Sequence, residues 1–162
     1  MKKEEKSKRV PIKFINSKDI DPTMTVLTRD EIKKAIIEWN EAYNAHDLER
    51  VLEWLHDEIY FENWTGGSVK GIESLKTAWA PWFKDHGGFR FTQEDLLIDE
   101  AQQKAVTRWR LDWPSTEAGY EGLPETRRGV DVMRFEDGKV IEKLTYSKTS
   151  LEIDGGRVRL QV

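Results

Sequence analysis

The spacing of hydrophobic residues changes along this chain, and the change predicts its architecture. Between residues 32 and 83 apolar side chains recur mostly every three or four positions, which is the spacing of one face of a helix. From residue 89 onward they alternate with polar side chains, which is typical of strands with one buried face. This order predicts an α+β protein in which helices cover one face of a mostly antiparallel sheet.

Local signals mark the ends of three predicted helices. Thr28 and Glu31 have the spacing of a capping box, in which both side chains satisfy free amides at a helix start. Asp47 is placed to cap a second, short helix that reaches Leu55. A third helix, with its apolar residues between 72 and 83, ends at a pair of glycines.

The other segments divide into strands, connections and a leader. Asp137-Gly138 suits a two-residue hairpin turn, because this pair tolerates a positive φ. Residues 114–125 form a longer connection than a hairpin needs. Residues 1–24 form a polar leader that is expected to be disordered, which leaves one predicted domain at 25–162. Strands are predicted at 59–64, 89–98, 105–113, 127–136 and 139–149, followed by a C-terminal hairpin within 151–162.

One predicted strand carries an acidic residue on an apolar face. Because side chains alternate along a strand, Asp131 shares its face with Gly129 and Met133. A carboxylate there is costly unless it is paired, hydrogen-bonded or kept neutral. Asp131 therefore either has a structural partner or lines a pocket where a ligand meets it.

Composition and charge exclude several classes of protein. A net charge of -4 gives no drive toward nucleic acid or an anionic membrane. Cysteine is absent, which excludes disulfides and thiol nucleophiles, and no apolar run approaches the ~20 residues of a membrane helix. His46, His56 and His86 lack the spacing of a metal motif, so no metal is expected. These features predict a cytoplasmic protein.

Three segments carry a family resemblance. Asn44-Ala-His-Asp-Leu48 resembles an inter-helix turn, and residues 57–66 followed by Gly71-Ile-Glu-Ser-Leu75 resemble a first strand and a helix start. Residues 130–140 are similar to a penultimate strand and its turn. In order and spacing these segments resemble the nuclear transport factor 2-like superfamily, which includes SnoaL-like polyketide cyclases and ketosteroid isomerases. The resemblance implies a cone-shaped roll of three N-terminal helices on a curved antiparallel sheet and a homodimer, and no cofactor is expected.

The site residues of these relatives carry over only in part. Asp131 aligns with a protonated carboxylic acid that donates a hydrogen bond to an oxyanion in the isomerases. Trp39 stands where they have a tyrosine, and its indole N–H donates but cannot exchange a proton. Asn63 stands at the general-base position, unless a slip of one residue places Glu62 there. Lys148 replaces the acid/base aspartate of the cyclases, so the resemblance leaves activity open.

The predicted site is a cavity between the helices and the sheet. Seven tryptophans supply large rings that can fill a core or line such a cavity. Asn63, Asp131 and Tyr146 are its predicted polar groups, which suits a small, largely apolar molecule with one carbonyl or hydroxyl. Its predicted wall consists of Trp39, Tyr43, Trp79, Phe83, Trp109, Leu111 and Met133.

Three functional hypotheses follow from this picture. The first is a cofactor-independent isomerase, cyclase or dehydratase that acts through a neutral Asp131. The second is a binding protein without turnover. The third is an accessory protein with a filled cavity that dimerises through the outer sheet face around Val130 and Val132. Arg127, on the same face as Asp131, is interpreted either as a rim salt bridge or as an anchor for a ligand carboxylate.

Overall fold

Helices precede most of the strands in the computed structural model, which describes residues 23–160. The predicted leader at 1–24 lies almost entirely outside the described residues. The helices are α1 (Arg29–Asn44), α2 (Leu48–Leu52) and α3 (Ile72–Lys84). The strands are β1 (Leu55–Glu62), β2 (Ser68–Lys70), β3 (Arg90–Asp99), β4 (Lys104–Pro114), β5 (Pro124–Glu136), β6 (Lys139–Ser147), β7 (Ser150–Ile153) and β8 (Gly156–Arg159).

The strands form one strongly curled sheet. Its main path runs β2-β1-β6-β5-β4-β3, and β7 pairs with the start of β5 and with β8. The pairing of β1 with β6 is parallel, and the other pairings between the described strands are antiparallel. Helix α1 contacts β3, and α3 contacts β1 and β2. The predicted α+β architecture, a cone of helices and curved sheet, is confirmed.

Helix α1 forms where the sequence predicts it. The Thr28 hydroxyl accepts the N–H of Glu31, and the Glu31 carboxylate accepts the N–H of Thr28, so the capping box is confirmed. The side chain of Gln103 ties this end to the sheet, because it bonds both the N–H and the carbonyl of Leu27. The buried stripe of the helix is Ile32, Ala35, Ile36, Trp39, Ala42 and Tyr43.

Helix α2 is shorter than the sequence predicts. Leu55, expected on this helix, instead opens β1, where it pairs with Val140 of β6. The carbonyl of Trp54 accepts the N–H of Val140 at 3.0 Å, which fixes the start of this parallel pairing. Pairing across the sheet thus overrides the helical pattern of a short segment. The next residue, His56, also lies on β1.

A bulge in β6 changes which of its side chains point toward the helices. Phe135 of β5 pairs with Val140, whereas the neighbouring Arg134 pairs with Glu142. Ile141 is therefore an extra residue in the ladder. Because side chains alternate along a strand, one extra residue reverses the alternation for the rest of β6.

Because of the bulge, one predicted site residue lies on the other face of the sheet. Beyond it, Lys143 and Thr145 are buried on the inner face, with 6% and 4% of their surface exposed. Tyr146, the next residue along β6, lies on the outer face, and 50% of its surface is exposed. Tyr146 therefore does not line the cavity, contrary to the prediction from sequence.

Candidate functional site

A cavity of about 540 Å³ lies between the helices and the inner face of the sheet. This volume is within the range of small-molecule sites in proteins. Six of the seven tryptophans line it, and Trp54 is the exception. The structure brings together on its wall most of the residues that the sequence analysis selected, namely Trp39, Tyr43, Asn63, Trp79, Trp109, Asp131 and Met133.

Two predicted wall residues are buried but do not line the cavity. Phe83 packs behind the wall, with its ring centroid 5.3 Å from that of Tyr43. Leu111 is fully buried on the inner face of β4, two residues beyond Trp109. Both are part of the hydrophobic core. Sequence reasoning missed several aromatic wall residues in their place: Phe61, Trp64, Trp82, Phe91 and Trp113.

Asp131 has two partners inside this cavity. Its Oδ1 accepts a hydrogen bond from the Thr145 hydroxyl at 2.8 Å and lies 3.0 Å from Lys143 Nζ. Lys143 Nζ also donates to the Thr145 hydroxyl at 2.6 Å, which closes a polar cluster of Asp131, Lys143 and Thr145. Asp131 therefore both has a structural partner and lines the pocket. Asp131 is a member of a buried ion pair and not the isolated neutral acid of the first hypothesis.

Lys143 is the functional candidate that sequence reasoning missed. Its Nζ lies 5.6 Å from the ring centroid of Trp39 and 5.2 Å from that of Phe61, so its cation faces two aromatic rings. An ammonium carries three donors, and the described residues supply oxygen acceptors for two of them. On the acceptor side, Oδ2 of Asp131 has no hydrogen-bond partner among the described residues. The cluster thus leaves both a donor and an acceptor for a ligand.

Two indole N–H groups in the wall have no hydrogen-bond partner. Trp39 and Trp109 are 6% and 4% exposed, and Nε1 of each is buried without an acceptor in residues 23–160. A buried donor that loses water without gaining an acceptor costs about 1–3 kcal/mol. Most such groups in native proteins are satisfied, so these two are unusual for a protein interior.

Gly129 gives the Trp109 ring its position. A Cβ on this glycine would lie 2.4 Å from Cζ2 of Trp109 and 2.1 Å from the backbone oxygen of Tyr146. No side chain fits in that space, so glycine lets the indole lie directly over β5 beside Asp131. Glycine at position 129 of β5 is therefore a packing requirement of the cavity wall.

Tyr43 is a neutral hydroxyl in the wall. Burial raises the pKa of its phenol well above the usual value, and the negative charge of Asp131 raises it further. Its ring contacts Trp39 edge-on, with centroids 4.9 Å apart, and Trp79 at 5.6 Å. The phenol therefore keeps its proton throughout the physiological pH range and remains available as a hydrogen-bond donor.

Asn63 and not Glu62 lines the cavity. Its Oδ1 accepts hydrogen bonds from the N–H and hydroxyl of Thr65 and from the N–H of Gly67, so it holds the turn between β1 and β2. Glu62 instead contacts the Tyr60 hydroxyl at 3.4 Å. The one-residue slip that would make Glu62 the general base does not occur. An amide at this position organises the rim and cannot accept a proton.

Arg127 lies in a buried network at one end of the cavity. It is 2% exposed, and its guanidinium contacts Glu125 at 2.9 Å and Glu117 at 2.6 Å. Glu125 also accepts hydrogen bonds from the indole of Trp113 and the hydroxyl of Ser115. Arg127 is therefore neither an exposed rim salt bridge nor an anchor facing the ligand. It fastens the connection between β4 and β5, whose role the sequence left open.

The remaining sequence candidates lie away from the cavity. His46 and His86 stack on each other with ring centroids 3.6 Å apart. Lys148 lines a separate outer groove with Arg128 and Arg157. Within residues 23–160, no group of three or more His, Asp or Glu side chains could hold a metal ion. None of the helices in the same range is long and apolar enough to cross a membrane.

The fold that carries this cavity matches a known domain family. The SnoaL-like domain model matches residues 36–143, which include most of the helical wall and both Asp131 and Lys143 of the polar cluster. The chain therefore belongs to the SnoaL-like domain family, within the nuclear transport factor 2-like superfamily. No curated protein matches the sequence.

Solved structures agree with this fold. A nuclear transport factor 2-like protein of unknown function from Mesorhizobium loti is 24% identical, with a TM-score of 0.58 over 74% of this chain and 92% of that one. A SnoaL-like protein of unknown function from Burkholderia thailandensis E264 is 19% identical, with a TM-score of 0.60 over 75% and 98%. TerC, co-crystallised with polyporic acid, is 18% identical, with a TM-score of 0.62 over 74% and 92%. At these identities the likeness shows the fold alone.

Proposed function

We propose that this chain binds a small, largely apolar molecule with a carbonyl or hydroxyl oxygen in the cavity. The observation that carries the proposal is an aromatic cavity of about 540 Å³ with the Asp131–Lys143 pair on its wall. Aromatic rings would hold the apolar body of the ligand, and these polar groups would fix its oxygen. The co-crystallisation of TerC with polyporic acid supports a small-molecule role for a cavity on this fold.

The same groups suit proton transfer without a cofactor. Asp131 Oδ2 is a free acceptor that would take a proton from a carbon next to the ligand's carbonyl. The ammonium of Lys143 would stabilise the enolate oxygen that forms. Such a site is isomerase- or cyclase-like. Asp131 is then the base rather than the neutral acid of the sequence-based hypothesis.

Titration with 2-naphthol is expected to give saturable quenching of tryptophan fluorescence and a higher unfolding temperature. At a hundredfold excess over its dissociation constant the ligand should stabilise the fold by about 2.7 kcal/mol. Asp131→Asn is expected to weaken binding by roughly tenfold or more, because it removes the charged acceptor of the naphthol hydroxyl. Asp154→Asn makes the same change at an exposed turn and should leave affinity unchanged. Absence of saturable binding to the wild-type chain would contradict the proposal.

We propose in addition that two copies of the chain associate through the outer face of the sheet. On that face Leu97, Val106, Val132 and Leu144 lie side by side on four adjacent strands, since each pairs with the next in register. Leu97 is 64% exposed, and Tyr146 in the next row is 50% exposed. A continuous apolar row of this kind is typical of subunit contacts. Because the cavity is open, this association would accompany ligand binding rather than replace it.

Val132→Glu is expected to convert a dimer into a monomer in size-exclusion chromatography with light scattering. The substitution places a charge in the middle of the apolar row, where a second copy would bury it. Because this side chain points away from the cavity, the affinity for 2-naphthol should stay the same. Val26→Glu makes the same chemical change at an exposed residue outside the row and should not alter the mass. A monomeric wild-type chain at tens of micromolar (on the order of typical assay concentrations) would refute this second proposal.

A further inference from the structure

Lys143 differs from every other lysine in residues 23–160, because its side chain alone among them is buried. It projects from β6 into the aromatic cavity, next to one carboxylate and one hydroxyl. Lysine amines in apolar pockets, close to a group that can exchange protons, are the ones that form imines with carbonyl compounds in enzymes. The geometry of the polar cluster therefore suits Lys143 for a covalent role in addition to hydrogen bonding.

We propose that Lys143 forms a reversible imine with an aldehyde or ketone held in the cavity. The inference rests on the proposed function, since it requires that the cavity binds a molecule with a carbonyl oxygen. It goes further, because it names the carbonyl class of the ligand and a covalent bond to this chain. Asp131, beside the amine, then has the task of moving protons in this reaction.

Asp131 is placed to move the protons of this reaction. Its Oδ1, 3.0 Å from Nζ, takes one proton from the ammonium, and the neutral amine attacks the carbonyl carbon. A proton then shifts from nitrogen to the former carbonyl oxygen, which gives a neutral carbinolamine. The Asp131 carboxylic acid returns its proton to the hydroxyl, which leaves as water. The net change converts an ammonium and a carbonyl into a protonated imine and one water, with the Asp131 carboxylate restored beside the new cation.

The surrounding groups favour this step at Lys143 over other lysines. The rings of Trp39 and Phe61 flank the amine and would hold an aromatic aldehyde against it. By contrast Lys34 has 73% of its side chain exposed and no such enclosure.

The test is reductive trapping with 1-naphthaldehyde and sodium cyanoborohydride, followed by peptide mapping. We expect one reduced adduct per chain at Lys143, formed at least about a hundredfold faster than at Lys34, because positioned proton transfer contributes on the order of 10²–10⁴. Excess 2-naphthol, which has no carbonyl, should suppress the Lys143 adduct and leave Lys34 labelling unchanged. Asp131→Asn should slow adduct formation roughly a hundredfold while the chain remains folded. Lys143→Arg keeps the positive charge but should abolish the adduct.

The possible outcomes separate this inference from the proposed function. If 2-naphthol binds and the aldehyde labels Lys143 no faster than Lys34, the imine is refuted while the binding proposal stands. If 2-naphthol does not bind and Lys143 is not labelled preferentially, both fail. Because the wild-type chain carries both lysines, the comparison holds even if a variant does not fold.

Discussion

Arg127→Met is expected to lower the free energy of unfolding by about 4 kcal/mol. Removing one member of a buried ion pair costs about 3–5 kcal/mol, because it leaves the other charge buried and uncompensated. Glu125 would be that charge, since its side chain is fully buried and Arg127 is its only cationic partner among the described residues. The hydrogen bonds that Glu125 accepts from Trp113 and Ser115 would remain, so the loss should fall within this range rather than exceed it.

Urea unfolding followed by tryptophan fluorescence would measure this loss. Arg110→Met is the matched control, because Arg110 pairs with Asp112 at the same 2.9 Å but with both side chains 40% exposed. Exposed pairs contribute about 0–1 kcal/mol, so this variant should stay close to the wild type. Adding Glu125→Gln to Arg127→Met should recover much of the stability, since the buried charge is then gone. Equal losses in the two single variants would show that burial of the network does not decide its energy.

The network also bears on the cavity. Trp64 lies under the Arg127 guanidinium, whose Cζ is 4.9 Å from the ring centroid, and Trp113 lies 5.9 Å away. Both rings line the cavity, so the same cation that neutralises Glu125 also positions two wall residues. Stability and the shape of the site are therefore coupled at Arg127.

The sequence predicted those parts of the fold that depend on local chemistry. The capping box of Thr28 and Glu31 fixes the start of α1 by contacts within one turn, so it can be recognised without tertiary information. The alternation on β4 and β5 likewise places Trp109, Asp131 and Met133 on the inner face. By contrast, β2 has three residues and no pattern of its own, and it forms only because it pairs with β1.

The chemistry of the site depends on a feature that alternation alone cannot predict. The bulge at Ile141 arises from the register between β5 and β6, which is a tertiary property. As a result, Lys143 and Thr145 point inward, and Tyr146, which was expected to point inward, lies on the outer face. The strand pattern places Asp131 on the inner face, whereas its partners Lys143 and Thr145 were not accessible from that pattern. A lysine two residues beyond a break in alternation is the only sequence signal, and it is weak.

Lys143→Met is expected to lower the free energy of unfolding by about 3 kcal/mol. The substitution removes the cation 3.0 Å from Asp131 and leaves a carboxylate that is only 10% exposed. The loss should be at the low end for a buried pair, because water can enter the adjoining cavity and solvate the remaining charge. Thr145 would still donate its hydroxyl to the same oxygen. Urea unfolding monitored by tryptophan fluorescence would measure the difference.

Two comparisons test whether the ion pair itself is the cause. Lys34→Met removes the same group from a pair with Glu38 in which the lysine is 73% exposed, and it should change stability by less than about 1 kcal/mol. Asp131→Leu combined with Lys143→Met removes both charges and should recover most of the loss, since apolar replacement of a buried pair is often neutral. If the double variant were as unstable as Lys143→Met alone, the loss would come from packing around the Trp39 and Phe61 rings. The cation would then serve the ligand and not the fold, which would leave binding and imine formation as its remaining roles.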